Sequence, residues 1–273
     1  MDTVRDHLWL WCHETGANNG QYSLPRTSRM SPAEAAYYLD IPNVLMIVYG
    51  DKPEPPFDQL SIAFRPLKNV VWSIIGDSSS KRNDKATDIS EVTRLANKFP
   101  NITGGMMDDF FHPANEKGEI ARYSASEIAA FRDQLHKAAH GLDLWVVLYS
   151  HNLDLPVQEH IKNCDVVTFW TWNAADLADL DKNFERLEKA VGSKRKILGC
   201  YMWDFGAGKP IPLDTMKKQC ESGLKWLKEG RIDGMIFLSS VICDMELEAV
   251  EWTRKWIAEV GDQPLARKTS GGK

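Results

Sequence analysis

The sequence predicts an α/β protein, a single (β/α)8 TIM barrel, on three observations. Eight short, nearly continuous apolar runs recur along the chain, with amphipathic helical patterns between most of them. Unbroken rather than alternating apolarity is the signature of parallel strands covered on both faces. The chain has 273 residues and 43% hydrophobic content, enough for one large core; barrels of this type run to about 250 residues. The spacing leaves no room for a second domain. Residues 1–262 are assigned to the barrel and residues 263–273, which end in KTSGGK, to a flexible C-terminal tail.

The elements follow in order. The first run, HLWLWCHE, leads into a long polar turn, HETGANNGQYSLPRTSR. SPAE then opens a helix, with Ser31 and Glu34 at capping-box spacing and Pro32 at the first helical position. The second run is VLMIVYGD, and the crossover after it, around FDQLSIAFRPLK, is irregular enough to hold only a short helix. VVWSIIGD and ITGGMMDDFF are the third and fourth runs. SASE repeats the capping box with Ser124 and Glu127, and the helix it opens is expected to stop at Gly141. LWVVLYSHN and VVTFWTWN come next, followed by a helix over DLADLDKNFERLEKAVG that stops at Gly192. ILGCYMWDF, GMIFLSS and a last helix over MELEAVEWTRKWIAEVG complete the series. A doubly wound open sheet is the main alternative, but it has fewer strands and a glycine-rich first turn. The first turn here is not a GxGxxG.

Composition narrows the function classes. A net charge of -5 gives no attraction to nucleic acid or to anionic membranes. No apolar stretch approaches the roughly 20 residues that cross a bilayer. The start, MDTVRDHLWLWCHE, lacks a basic region followed by a long apolar one, so it is not an intact secretory signal. A chain whose signal had been removed would read the same way, and the compartment stays open. The five cysteines, Cys12, Cys164, Cys200, Cys220 and Cys243, are odd in number, widely spaced and without a CxxC pair. They read as reduced, mostly buried thiols rather than a disulfide framework. Oligomeric state has no signature in the chain.

In a barrel the C-terminal strand ends share one mouth, and chemistry concentrates there. The residues collected at those ends are Cys12, His13, Glu14, Asp51, Asp77, Asp108, Asp109, His112, Tyr149, His151, Trp170, Trp172, Asn173, Tyr201, Trp203, Asp204, Ser239 and Ser240. The fourth run is the most telling, because it ends in two adjacent aspartates. Burying carboxylates is costly, so a buried strand that runs into a pair of them implies a use. Residues two apart share a face of a strand, which groups Asp109 with Met107 and Asp108 with Met106. Gly104 and Gly105 leave space near the barrel axis or allow a bulge that aims a carboxylate.

Paired carboxylates suit cleavage of a glycosidic bond. One protonates the leaving oxygen and the other acts as nucleophile or base. Two close carboxyl groups acquire separated pKa values, so that one is protonated while the other is ionised. Asp108 and Asp109 are the primary catalytic candidates, as a pair or with one of them facing Asp204 across the mouth. Glu14 and Asp77 are secondary carboxylates. Tyr149, His151, Trp172, Tyr201 and Trp203 are expected to line sugar subsites, since sugar C–H faces pack on aromatic rings. No cofactor is required for this chemistry, and the expected partner is a carbohydrate substrate.

Structural readings compete with each of these. Asp108 or Asp109 can instead cap a loop or pair with an arginine, and Asp204 can hold the GAGKP loop that follows it. Trp9, Trp11, Trp72 and Trp145 read as barrel packing, and Trp226, Trp252 and Trp256 as helix–sheet core. His136 and His140, four apart on a helix, read as a surface pair rather than metal ligands. Arg26 and Arg29 in the first loop read as solvated, the alternative being contact with an acidic sugar. His13, Glu14, Asp108, Asp109, His112 and His151 raise a second class, a metal-dependent hydrolase, lyase or isomerase. Neither HxH on the first run nor HExxH supports it. A third class is a carbohydrate-binding barrel without catalysis.

On these residues the chain resembles the superfamily of TIM-barrel glycoside hydrolases. GGMMDDFF looks like a fourth-strand segment ending in acidic residues, and YMWDF like a seventh-strand segment bearing an aromatic platform and a carboxylate. The resemblance implies an acid/base role for Asp108 or Asp109 and a partner role for Asp204. The chain departs from the fourth-strand Asn-Glu pair, from a seventh-strand Glu and from the DxxDxDxE pattern of chitinase-like barrels. It therefore matches no single family, and both retaining and inverting outcomes are open.

Overall fold

The computed structural model describes residues 2–85 and 88–265. Each apolar run forms a strand: β1 (Leu8–Cys12), β2 (Asn43–Met46), β3 (Asn69–Ile75), β4 (Ile102–Met107), β5 (Asp143–Tyr149), β6 (Val166–Trp170), β7 (Arg195–Tyr201) and β8 (Gly234–Leu238). They pair in sequential order, all parallel, and β1 closes onto β8 through Leu8↔Met235 to Trp11↔Leu238. The helices are α1 (Pro32–Leu39), α2 (Asp58–Ala63), α3 (Asp88–Ala96), α4 (Ala125–Lys137), α5 (Gln158–Ile161), α6 (Leu180–Val191), α7 (Leu213–Lys228) and α8 (Glu248–Val260). The chain is thus a single (β/α)8 barrel.

Local chemistry sets the element ends. Ser31 Oγ accepts from the Glu34 N–H at 3.3 Å, and the Ser31 N–H donates to Glu34 Oε2 at 2.7 Å. Ser124 and Glu127 do the same at α4, at 3.3 and 2.8 Å. Such caps contribute about 1 kcal/mol each. Helix α4 ends at Lys137, short of the expected stop at Gly141. The chain leaves the helix through Ala139 at φ +40° and Gly141 at φ +80°, and His140 Nε2 reaches the Ile102 carbonyl at 2.9 Å. His136 pairs instead with Asp165 at 2.8 Å, so the two histidines face different partners.

Residues 263–265, expected within a flexible tail, are tied to the chain start. The Val4 N–H donates to the Gln263 carbonyl at 3.0 Å and the Leu265 N–H to the Asp2 carbonyl at 2.9 Å, and Leu265 is buried. Residues 266–273 lie outside the described residues. All five cysteines are buried and unpaired. Among the described residues, no helix is long and apolar enough to cross a membrane.

Tryptophans fill the barrel and its shell. Trp9 and Trp145 meet edge to face at 4.9 Å, and Trp11 meets Trp170 at 5.2 Å. In the outer shell, Trp72 of β3 stacks on Phe57 at 4.6 Å and Trp226 of α7 on Phe184 at 3.9 Å. A glycine makes the interior layer possible. A Cβ on Gly199 of β7 would lie 2.1 Å from two ring atoms of Trp170, so the indole occupies the space that any other residue would need.

Candidate active site

The acidic end of β4 owes its aim to two backbone features. The register between β3 and β4 slips between Val70 and Val71, where Ile102 and then Gly104 take successive partners. This is the irregularity that the paired glycines permit. A Cβ on Gly104 would meet the Trp145 ring of β5 at 2.8 Å, whereas one on Gly105 would meet Leu135 of α4 at 3.2 Å. Gly104 therefore faces along the sheet toward Trp145, and Gly105 faces the helix layer. Alternation from there puts Asp108 on the face of Gly104. Asp109 would then point outward, but its φ of +40° lies in the left-handed region, which Asp tolerates better than most residues. The turn brings the second carboxylate into the same cavity.

The cavity occupies the C-terminal mouth, with a volume of about 380 Å³. Every strand end contributes to it. Trp11, His13, Tyr22, Tyr49, Asp77, Asp108, Asp109, Tyr149, His151, Trp172, Tyr201, Phe205 and Leu238 are among its walls. Asp108 is only 6% exposed. Its Oδ1 accepts the Asp109 N–H at 2.8 Å. Burial first, and then the charge of Asp109, hold its carboxyl well above the usual carboxylate range, which favours its neutral form. Asp109 is half-buried. Its Oδ1 accepts from the Tyr149 hydroxyl at 2.8 Å and its Oδ2 from the Ser78 N–H at 3.3 Å.

Asp77 behaves differently from Asp108 although both are buried. Its oxygens accept from the Gly50 N–H at 2.8 Å, Ser80 Oγ at 2.6 Å, the Ser79 N–H at 3.0 Å and Ser79 Oγ at 2.5 Å. Burial alone would raise its pKa, but these donors outweigh it and lower it. Asp77 is therefore a fixed anion that ties the loops after β2 and β3 together. Burial also acts on the walls. It raises the phenols of Tyr149 and Tyr201, each with added repulsion from the Asp109 charge, so both remain donors. It pushes His13 down to about 4, and the neutral ring accepts the Trp11 indole N–H at Nε2, 3.2 Å away. His151 stacks on Tyr149 with ring centroids 5.1 Å apart.

Three sequence-derived candidates fall outside the cavity. Glu14 is partly exposed and does not line the cavity, whereas its neighbour His13 does. Trp203 is buried and donates its indole N–H to the Tyr22 carbonyl at 3.1 Å, so it buttresses a wall rather than forming one. The Asp204 carboxylate accepts the N–H groups of Ala174 at 3.4 Å and Ala207 at 3.2 Å, and its backbone bridges that of Lys209 across the turn. It holds the GAGKP loop in the way the structural reading anticipates. Arg26 pairs with Glu246 at 2.6 Å, and neither it nor Arg29 lines the cavity. Sequence reasoning missed Tyr22, Tyr49 and Phe205 and assigned Trp11 to packing alone. Tyr22 bonds the Tyr49 hydroxyl at 3.1 Å and packs on Phe205 at 5.2 Å, so the long first loop folds over the mouth.

The fold places the chain among solved barrels. It matches a glycoside hydrolase family 17 β-1,3-glucanosyltransferase from Rhizomucor miehei with a TM-score of 0.54 at 12% identity, over 86% of this chain and 87% of that one. It matches a chitinase from Bacteroides thetaiotaomicron with a TM-score of 0.54 at 9% identity, over 97% and 99%. It also matches the xylanase-α-amylase inhibitor protein XAIP-I, solved with trehalose, with a TM-score of 0.58 at 12% identity, over 93% and 98%. No protein-family model matches the chain, and no curated protein matches it in sequence. These likenesses establish a barrel fold shared with several glycoside hydrolase families and with a barrel described as an inhibitor.

Proposed function

We propose that this protein is a glycoside hydrolase that cleaves O-glycosidic bonds of an oligo- or polysaccharide. One observation carries the reading. Two adjacent aspartates meet at an aromatic cavity in the barrel mouth, where burial holds Asp108 neutral and Asp109 accepts hydrogen bonds from Tyr149 and Ser78. In the proposed mechanism Asp108 supplies the proton to the leaving oxygen. Asp109 supplies the negative charge that the oxocarbenium-like transition state needs, as nucleophile, base or stabiliser. Tyr149 holds Asp109 through its hydroxyl. Trp172, whose ring stands edge to face with Tyr201 at 5.9 Å and with Tyr149 at 6.3 Å, offers a sugar-packing wall.

The metal-dependent reading gains no support from the side chains. Among the described residues, no three His, Cys, Asp or Glu converge in a way that could hold an ion. The deciding experiment is product release from a broad glycan panel by wild type and Asp109→Asn side by side. Release by wild type alone is expected. Equal release by both forms would remove the pair from the mechanism, and binding without release by wild type would make the barrel a carbohydrate-binding module.

A further inference from the structure

We infer that the cavity selects a sugar carrying a free amino group over the corresponding neutral or acidic sugar. This inference rests on the carbohydrate reading of the site and adds the charge of its substrate. Among the described residues, the lining contains three aspartates and neither lysine nor arginine. Four cations on the surrounding mouth loops are engaged elsewhere. Lys52 pairs with Glu54 at 2.5 Å, Arg82 with Asp88 at 3.0 Å and Arg26 with Glu246 at 2.6 Å, while Arg122 pairs with Asp84. Among the described residues, the basic side chains in the lining are histidines. His13 is buried and neutral, and burial likewise lowers His151. The third, His112, turns its Nδ1 to the Pro113 carbonyl at 2.8 Å.

The anions are not equivalent. Asp77 has four donors on its two oxygens, which stabilise its charge and occupy its acceptor positions. Asp109 accepts from Tyr149 and Ser78, two of the about four positions a carboxylate offers. A substrate ammonium can donate to Asp109 there. The rings of Tyr149, Trp172 and Tyr201 line the cavity beside it and shield the pair from bulk water. A uronic acid at the same place would set a third negative charge near Asp77 and Asp109 with no lysine or arginine to receive it. A neutral hydroxyl can bond Asp109 but forgoes the charge attraction. The enclosed, partly desolvated setting strengthens each of these differences relative to water.

The test is calorimetric binding of matched monosaccharides to the full-length protein: glucosamine, glucose and glucuronate, and galactosamine, galactose and galacturonate. At least one amino sugar is expected to bind about tenfold tighter than its neutral counterpart, with the uronate weakest. Added salt should narrow the amino-to-neutral ratio. Asp109→Asn should reduce that ratio to near unity. Asn accepts a left-handed φ, so this variant keeps the turn, and circular dichroism checks its fold. Equal affinity for amino and neutral members, tightest binding of a uronate, or no binding of any probe would overturn the inference. Binding needs no turnover, so the two readings fail separately. An amino preference without hydrolysis of any glycan would sink the hydrolase proposal alone. Hydrolysis of glycans without an amino preference would sink this inference alone.

Discussion

Replacing Asp108 with asparagine should stop catalysis and make the protein more stable at neutral pH. Asn is nearly isosteric, and its Oδ1 can still accept the Asp109 N–H that Asp108 accepts at 2.8 Å. No cavity opens, and the Asp109 N–H keeps its acceptor. What disappears is a carboxyl whose burial and whose neighbour, charged Asp109, both oppose ionisation. The sign follows from linkage. The native pKa lies above the ordinary value of 3.8, so between the two values the folded state binds a proton that the unfolded state has released. Stability contributed by this group is fully present below pH 3.8 and is lost as pH rises toward the native pKa. Asn carries no such dependence. Each tenfold weakening of the buried acid corresponds to about 1.4 kcal/mol, and about 1 kcal/mol moves the melting temperature by about 2–4 °C for a chain of this size. Thermal melts of the two proteins should coincide near pH 4 and separate progressively toward pH 8, with the variant higher. All other titrating groups are common to both, so the difference isolates Asp108. A variant that melts lower at pH 8, or a gap that does not grow with pH, would refute the burial argument.

Other perturbations test the neighbouring assignments. Asp109→Asn should lower kcat by about two to four orders of magnitude with an unchanged melting temperature, read by steady-state kinetics beside a melt. Tyr149→Phe removes the 2.8 Å donor to Asp109 and should cost about tenfold or more in kcat with the fold intact. Asp204→Asn retains the Oδ1 acceptor for Ala174 and Ala207, so activity should stay within a few fold; a loss matching that of Asp109→Asn would return Asp204 to the mechanism. Gly199→Ala should destabilise by about 1–3 kcal/mol or more, because its Cβ would stand 2.1 Å from the Trp170 ring; an unchanged denaturant midpoint would show that the layer yields freely.

Much of this architecture was legible because its signals are local. The eight runs are buried on both faces, and Ser31–Glu34 and Ser124–Glu127 announce their helices within four residues. Tyr149, Trp172 and Tyr201 were legible as mouth residues because each lies at or just beyond a strand end. The misplacements come where strand parity lapses. β7 ends at Tyr201, and the turn from Asp204 to Lys209 then sends Trp203 and Asp204 into loop support. Glu14 follows an inward His13 and could have been set aside by alternation. Asp109 shows the opposite case. Alternation would send it outward, and only its left-handed backbone returns it to Asp108. Tyr22 was beyond reach for another reason. Its position depends on Tyr49, Trp203 and Phe205, which are distant in sequence and meet it only in the closed barrel.

The chemistry at the mouth depends on the packing beneath it. Trp170 lies between Trp11 and Tyr201, 5.2 Å from each ring, and its indole N–H donates to Thr168 Oγ1 at 2.9 Å. It is fully buried, and Gly199 leaves the space its ring fills. Trp11 and Tyr201 in turn line the cavity that holds Asp108 and Asp109. Rings packed in this way leave little room for water under the cavity, which keeps the local dielectric low. Low dielectric is what holds Asp108 neutral next to a charged neighbour. In the proposed mechanism it also strengthens the pull of the Asp109 charge on a developing positive centre. The same Asp108 carboxyl on a hydrated surface loop would ionise near the ordinary value and could not serve as a proton donor at neutral pH. A glycine on β7 and a tryptophan on β6 thus help to set the protonation of the aspartates that follow β4, although neither carries an ionisable group itself.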